Sequence, residues 1–435
     1  MNITPFHHGN PVPHNHFLNR SHEIRSLASR IATGQSIAII GEPRTGKTSL
    51  LEYLQAQEVR QKLYGDSARH WYFFYLDWQT GQNLTQTQFW THALEEVSAD
   101  AIATNGDNSR IAQAYQLCQE NHFNNFVLEK LIVQIHQAGY RLILLLDEFD
   151  VILQNSLLNN AEFFGGLRSI TSRSQGTLTL VTASRQPLSA INRATQEFNR
   201  TGSPYFNFLY NLELEPFSDR AVAALLALGK ERFSTSDRRF LARLGGGHPY
   251  LLQVGASALW DAYTDENDAE KRHATTHSKL HKNASKVIED TWRLWSPEMR
   301  KAFMSVALDH DAMYGLDQHV LDVATLFEDL PDLAPELDAL ETQGYIQQAS
   351  DTLTGWRVRP EAFVWWMNEE LIRAVRNPAG FETWLRMQEW GVLLKKGQRE
   401  QLEKAGRGLG GFFKEGINGF LKGVGEGIGK GLTGK

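Results

Sequence analysis

A single cysteine, Cys118, stands among 435 residues. That excludes an internal disulfide framework and fits a reducing cytosol. No run approaches the roughly 18 continuous apolar residues that a spanning helix needs. The first residues are polar and His-rich and lack the apolar core of a signal peptide, so a cytoplasmic protein is expected. The basic excess of a dedicated nucleic-acid binder is missing too: 44 Lys and Arg face 50 Asp and Glu, a net charge of −6. Phosphate contacts dominate nucleic-acid affinity, so DNA is not an expected partner. There is also no long C-terminal repeat array. What is present is a globular composition with 42% hydrophobic residues, long enough for two or three domains.

Residues 1–16 read as a flexible polar lead-in. Their histidines (His7, His8, His14, His16) lack the Cys or acidic partners of a metal site. From Phe17 onward the pattern changes. Short unbroken apolar runs at 36–40, 71–76, 142–146, 178–182 and 206–214 predict strands. The runs at 23–33 and 126–138 have helical spacing,. Continuous apolar strands alternating with helices predict an α/β fold with a parallel sheet covered on both faces. After Pro216 the strand signals stop and helical patterns follow, with a polar stretch at 265–286 that reads as a solvated helix or linker. Ser296-Pro297-Glu298 is a helix start, with Ser as cap, Pro at the first position and an acid near the positive helix end. A helix over 333–342 then leads into two short strand signals at 345–349 and 355–358, the order of a winged-helix module.

The chemistry concentrates in two places. Gly41-Glu42-Pro43-Arg44-Thr45-Gly46-Lys47-Thr48 fits G-x-x-x-x-G-K-[ST] in full,. It sits between a predicted strand and a predicted helix that runs from Lys47 to about Gln57 and includes Ser49. Glycines let backbone N–H groups curl around phosphate oxygens, and the helix N-terminus adds partial positive charge. Lys47 is expected to bridge the β- and γ-phosphates, with Thr48 as a ligand of Mg²⁺. The apolar run 142–146 ends in Asp147-Glu148. Ligands of open α/β sheets bind at the carboxyl ends of strands. Asp147 is therefore the second magnesium candidate, and Glu148 the candidate base that polarises the attacking water. Thr182-Ala183-Ser184-Arg185 closes the next strand, where Arg185 can sense the γ-phosphate. Arg168 reads either as a surface arginine or as a finger reaching a neighbouring subunit's nucleotide.

These motifs, in this chain order, resemble the STAND branch of the AAA+-related P-loop NTPases, and most of all its compact archaeal-ATPase or AAA-like members. Phe17-Leu18-Asn19-Arg20-Ser21-His22-Glu23 is similar to that family's entry box beside the adenine, with Asn19 where glycine is usual. Gly246-Gly247-His248-Pro249 resembles its GxP lid motif. The resemblance implies ATP or ADP with Mg²⁺, bound by the 41–49 loop, Asn19, Arg20 and Pro249. It further implies a slow ATPase switch in prokaryotic signalling or antiviral defence, oligomerising with itself on activation, and a sensor or effector supplied by a partner protein. The domains expected are an NTPase core (17–216), a helical lid (217–290), a winged helix (291–375), a helical extension (376–405) and a tail (406–435). The tail is glycine-dense, with an apolar stripe and spaced lysines. It suits a membrane interface or self-assembly, or is inert. The competing reading is a DNA-associated AAA+-type ATPase using the winged helix. Acidic residues across 309–341, among them Asp317, Asp322, Glu328 and Asp332, oppose it,.

Overall fold

The computed structural model describes residues 3–105, 109–198, 202–313 and 322–414. The chain divides into two units. One holds Pro11–Glu42 and Gly46–Leu214; the other holds Met1–Asn10, Pro43–Thr45 and Glu215–Lys435.

The first unit is built on five parallel strands: β1 (Ile37–Ile40), β2 (Trp71–Asp77), β3 (Arg141–Asp147), β4 (Leu178–Ser184) and β5 (Tyr210–Glu213). Their order across the sheet is β2-β3-β4-β1-β5. Successive side chains of a strand point to opposite faces, and both faces here are covered. Ile37, Ile39, Ile143, Leu145, Val181 and Ala183 pack with Leu27 and Ile31 of helix Ser21–Ala32 and Leu50, Leu51 and Leu54 of helix Lys47–Gln55. Ala38, Leu142, Leu144, Leu146 and Leu180 pack the other way, against helices Gln86–Asn105, Asn125–Gln137 and Ala161–Arg173. This is why the central strands read as unbroken apolar runs rather than alternating ones. The β5 edge is mostly exposed, and the Arg30 guanidinium lies 3.5 Å above the Tyr210 ring.

The second unit is helical. The stretch 265–286, expected to be a solvated helix or linker, is helical from Ala269 onward, within the 26-residue helix Ala269–Leu294, but one side of it is not solvated. Its polar sequence hides a stripe at helical spacing: Thr276, His277, Leu280, Ala284, Ile288, Thr291 and Trp292 are buried,. That helix also runs through the expected lid boundary at residue 290. Ser296 caps the next helix, Pro297–Met313, its Oγ accepting from the Met299 N–H at 3.1 Å. Helix Ala334–Thr342 leads into an antiparallel pair, β6 (Ile346–Gln348) and β7 (Trp356–Val358). An aromatic core of Trp292, Trp295, Phe303, Tyr345 and Phe363 binds these elements.

Two further expectations are corrected. Residues 3–10 are not a loose lead-in: Phe6 is buried, stacked on Phe233 at 5.5 Å and edge-on to Trp260 at 6.3 Å. The backbone N–H of His7 donates to Gln253 Oε1 at 3.0 Å. The boundary set at residue 405 falls inside a helix, Lys396–Lys414. Leu402, Ala405 and Leu409 of that helix are buried, and Gly406 lies so close to helix Glu361–Ala374 that a Cβ would stand 3.0 Å from Leu371 Cγ. Its glycine therefore serves close packing. The rest of the expected tail, 415–435, lies outside the described residues. No described helix is long and apolar enough to cross a membrane.

Candidate functional site

β1 is buried throughout and delivers the chain into the loop 41–46 at its carboxyl end. The Gly41 N–H donates to the Ser184 carbonyl at 3.3 Å, tying the loop's start to β4. Gly46 then takes φ +99°, a left-handed conformation open to glycine, and helix Lys47–Gln55 starts with no side chain capping it,. A helix start without a side-chain cap suits an anion as its cap.

Lys47 is almost fully buried, and its Nζ donates to the carbonyls of Gly41 at 2.8 Å and Glu42 at 2.9 Å. Burial lowers its pKa to about 8; the Glu148 carboxylate opposes that shift and the Arg185 charge reinforces it,. The Ser49 hydroxyl accepts the Val12 backbone N–H at 3.0 Å, so this member of the expected cradle also ties the preceding segment to the helix. Pro43 and Thr45 are buried, whereas Arg44 is exposed with φ +63°.

Asp147 ends β3 and is 2% exposed. Its Oδ1 accepts the Glu148 N–H at 2.9 Å and its Oδ2 accepts the Tyr75 hydroxyl at 3.1 Å. The Thr48 side chain lies near enough to help hold its pKa down. Burial raises its pKa, and these three groups work against the rise,. The two expected magnesium residues, Thr48 and Asp147, are thus neighbours.

Glu148 has left-handed backbone torsions, φ 47° and ψ 43°. Its carboxylate meets the Arg185 guanidinium at two points: Nη2 lies 3.1 Å from Oε1 and Nε 3.0 Å from Oε2. The Arg185 backbone N–H donates to Asp150 Oδ1 at 3.3 Å. Burial raises the Asp150 pKa. The loops after β1, β3 and β4 therefore bring Lys47, Thr48, Asp147, Glu148 and Arg185 to one end of the sheet.

Asn19 and Arg20 both have positive φ, 66° and 63°, ahead of helix Ser21–Ala32. Arg20 is buried and ion-paired with Glu23 at 2.9 Å. Pro249 opens helix Pro249–Asp265 in the helical unit. There the Gly247 carbonyl accepts the Phe217 N–H at 2.8 Å, and a Cβ on Gly247 would stand 2.8 Å from the Phe217 oxygen. Arg168 donates from Nη1 to the Ser203 and Pro204 carbonyls at 2.9 and 3.1 Å, which engages it in its own unit. Two residues escaped the sequence reading. Asp150 was signalled by a third acid in Asp147-Glu148-Phe149-Asp150. Tyr75 carried no signal, since a tyrosine in a strand reads as packing.

The donor set fits the ligands that the motifs imply. Thr48 and Asp147 offer hard oxygens of the kind magnesium takes, and the 41–46 loop and Lys47 face phosphate chemistry.

A search of curated proteins finds no match. Among solved structures, the chain is similar to the Walker-type ATPase PABY2304 of Pyrococcus abyssi, with TM-score 0.51 and 14% identity over 84% of this chain and 99% of that one. It also aligns with the ORC2 protein of Aeropyrum pernix, solved as ADPNP-ADP complexes, at TM-score 0.46 and 12% identity, covering 83% of this chain and 95% of that one. A RuvB mutant of Thermotoga maritima aligns at TM-score 0.35 and 14% identity, covering 81% and 96%. The model of the AAA-like domain family matches residues 9–318. With that match over most of its length, the chain belongs to the AAA-like domain family and has a P-loop ATPase fold.

Proposed function

We propose that this protein is a STAND-type switch that binds ATP with Mg²⁺ and hydrolyses it slowly, its nucleotide state controlling assembly. The observation that carries this reading is the grouping of Lys47, Thr48 and Asp147 with a Glu148 carboxylate held by Arg185. The 41–46 amides and Lys47 would cradle the phosphates, and Thr48 and Asp147 would hold the metal. Magnesium, when bound, neutralises charge developing on the phosphate oxygens. Glu148 would orient the water and take its proton. Arg185 occupies that carboxylate, so hydrolysis requires the pair to part or to turn together, which suits slow turnover. Residues 291–375 would be a winged helix, and signalling or antiviral defence is the setting the family resemblance suggests.

Hydrolysis assays paired with mass determination in ATP and in ADP test the reading. An ATP-dependent assembly that disappears in Lys47→Ala supports the switch. A protein that stays monomeric in both nucleotides and binds duplex DNA at physiological salt would replace it with a DNA-associated ATPase.

A further inference from the structure

β2 and β3 pair in parallel with Tyr75 opposite Leu145 and Asp77 opposite Asp147. Tyr75 and Asp147 therefore lie on the same face of the sheet, diagonal to one another. It is the face that carries helix Lys47–Gln55, and with it Thr48. A phenol is long enough to span that diagonal, and the Tyr75 hydroxyl donates to Asp147 Oδ2 at 3.1 Å. A shorter hydroxyl from the same strand position would fall short.

The chemistry of this donor matters more than its strength. A buried carboxylate needs hydrogen bonds to remain ionised. Asp147 takes them from the Glu148 N–H and the Tyr75 hydroxyl, both neutral, and the neutral Thr48 side chain lies beside it. An arginine or lysine in place of Tyr75 would stabilise the same carboxylate but would place a positive charge beside an incoming cation. A neutral donor holds the oxygen in place and leaves the negative charge to the metal. An ordinary phenol ionises only near about pH 10, so the Tyr75 hydroxyl is a donor at physiological pH. Glu52, one turn along the helix from Thr48, and Asp77 add negative charge around the phenol.

We propose that Tyr75 is a positioning residue for metal binding: its hydroxyl fixes the Asp147 carboxylate for a divalent cation taken up with the nucleotide. The inference rests on the nucleotide-binding reading above and adds to it a specific residue outside the recognisable motifs. Removing a group that orients a metal ligand weakens metal affinity by about 10- to 100-fold.

The test compares the full chain with Tyr75→Phe, which keeps the ring and removes one hydroxyl. Free Mn²⁺ is read by electron paramagnetic resonance in the presence of ADP, and ADP affinity is read separately in EDTA. The expected result is Mn²⁺ affinity about tenfold weaker in Tyr75→Phe, with ADP affinity in EDTA and the melting temperature unchanged. Hydrolysis by the variant should recover as Mg²⁺ is raised. Mn²⁺ affinity within twofold of the unaltered protein would overturn the proposal and reduce Tyr75 to packing. Equal loss of ADP affinity with and without metal would overturn it too. If the unaltered protein takes up no ADP under either condition, the nucleotide reading itself falls and the Tyr75 inference falls with it.

Discussion

The Arg185 guanidinium lies against the Glu148 carboxylate, with Nη2 3.1 Å from Oε1 and Nε 3.0 Å from Oε2, while Asp150 holds the Arg185 backbone N–H. Arg185 is therefore fixed at both its main chain and its side chain, and Glu148 cannot orient water independently of it. Glu148→Gln should keep nucleotide affinity and lower turnover by about 100-fold or more, the lower end of what a positioned base contributes. Arg185→Ala frees the Glu148 carboxylate but removes the cation that senses the γ-phosphate, and on balance should cost about tenfold. Residues that act as a unit are not additive, so the double variant should be no slower than Glu148→Gln alone. Steady-state hydrolysis of the three variants checks this; additive losses would show that the pair is only a surface contact.

Lys47 carries a pH signature. Its folded pKa, about 8, lies below the ordinary 10.5, chiefly through burial. Below pH 8 the amine is charged in both the folded and unfolded chain, and the folded state bears the full desolvation cost. That cost is relieved as pH rises from about 8 towards 10.5. Phosphates favour the charged amine, so the sign for ligand binding is opposite. ADP affinity should fall as pH rises from 7 to 9, and binding at pH 9 should take up a proton. Calorimetry in buffers of different ionisation enthalpy measures that uptake, which should vanish in Lys47→Met.

Much of this site was legible because its residues are adjacent in sequence. A loop that cradles phosphate needs its glycines and lysine at fixed spacing, and a buried strand ending in Asp147-Glu148 advertises both burial and charge. The sheet was legible for the same reason, its five strands being short apolar runs. The readings that failed concern contacts between distant segments. Nothing local marks Tyr75 as a partner of Asp147, 72 positions away. The stretch 265–286 looked solvated because its charges outnumber its buried positions, and only the helical period reveals the stripe. The glycines of 406–410 suggested a loose tail, whereas Gly406 is required for the approach to Leu371 and Val375.

The N-terminal segment shows the same limit and yields a stability prediction. Phe6 looked like a lone aromatic in a polar tail, yet it is 3% exposed between Phe233 and Trp260. Large-to-small changes at buried phenylalanine cost about 3–5 kcal/mol. Phe6→Ala should therefore lower stability by roughly 3 kcal/mol, read as an earlier unfolding midpoint in urea. Phe6→Leu, which keeps most of the volume, should cost less than half as much. Unchanged midpoints for both would show that the segment adds nothing to the helical unit.

The contacts of helix Lys396–Lys414 decide how any test of the tail must be cut. Helix Lys396–Lys414 buries Leu402, Ala405 and Leu409. The Gln398 side chain donates to Asp329 Oδ1 at 2.9 Å, and Asp329 also pairs with the buried Lys301. Lys301 in turn donates to the Leu393 carbonyl at 2.8 Å. A chain ended after Lys414 keeps every one of these contacts. A chain ended after Leu402 loses the burial of Ala405 and Leu409, about 2–3 kcal/mol at the transfer value for such side chains, and should melt several degrees lower. Activity lost in the shorter chain alone reports damage to the helical unit. Activity or assembly lost in the longer one assigns a function to residues 415–435, and leakage from anionic liposomes caused by the full chain but not by that longer truncation would identify the function as membrane attack.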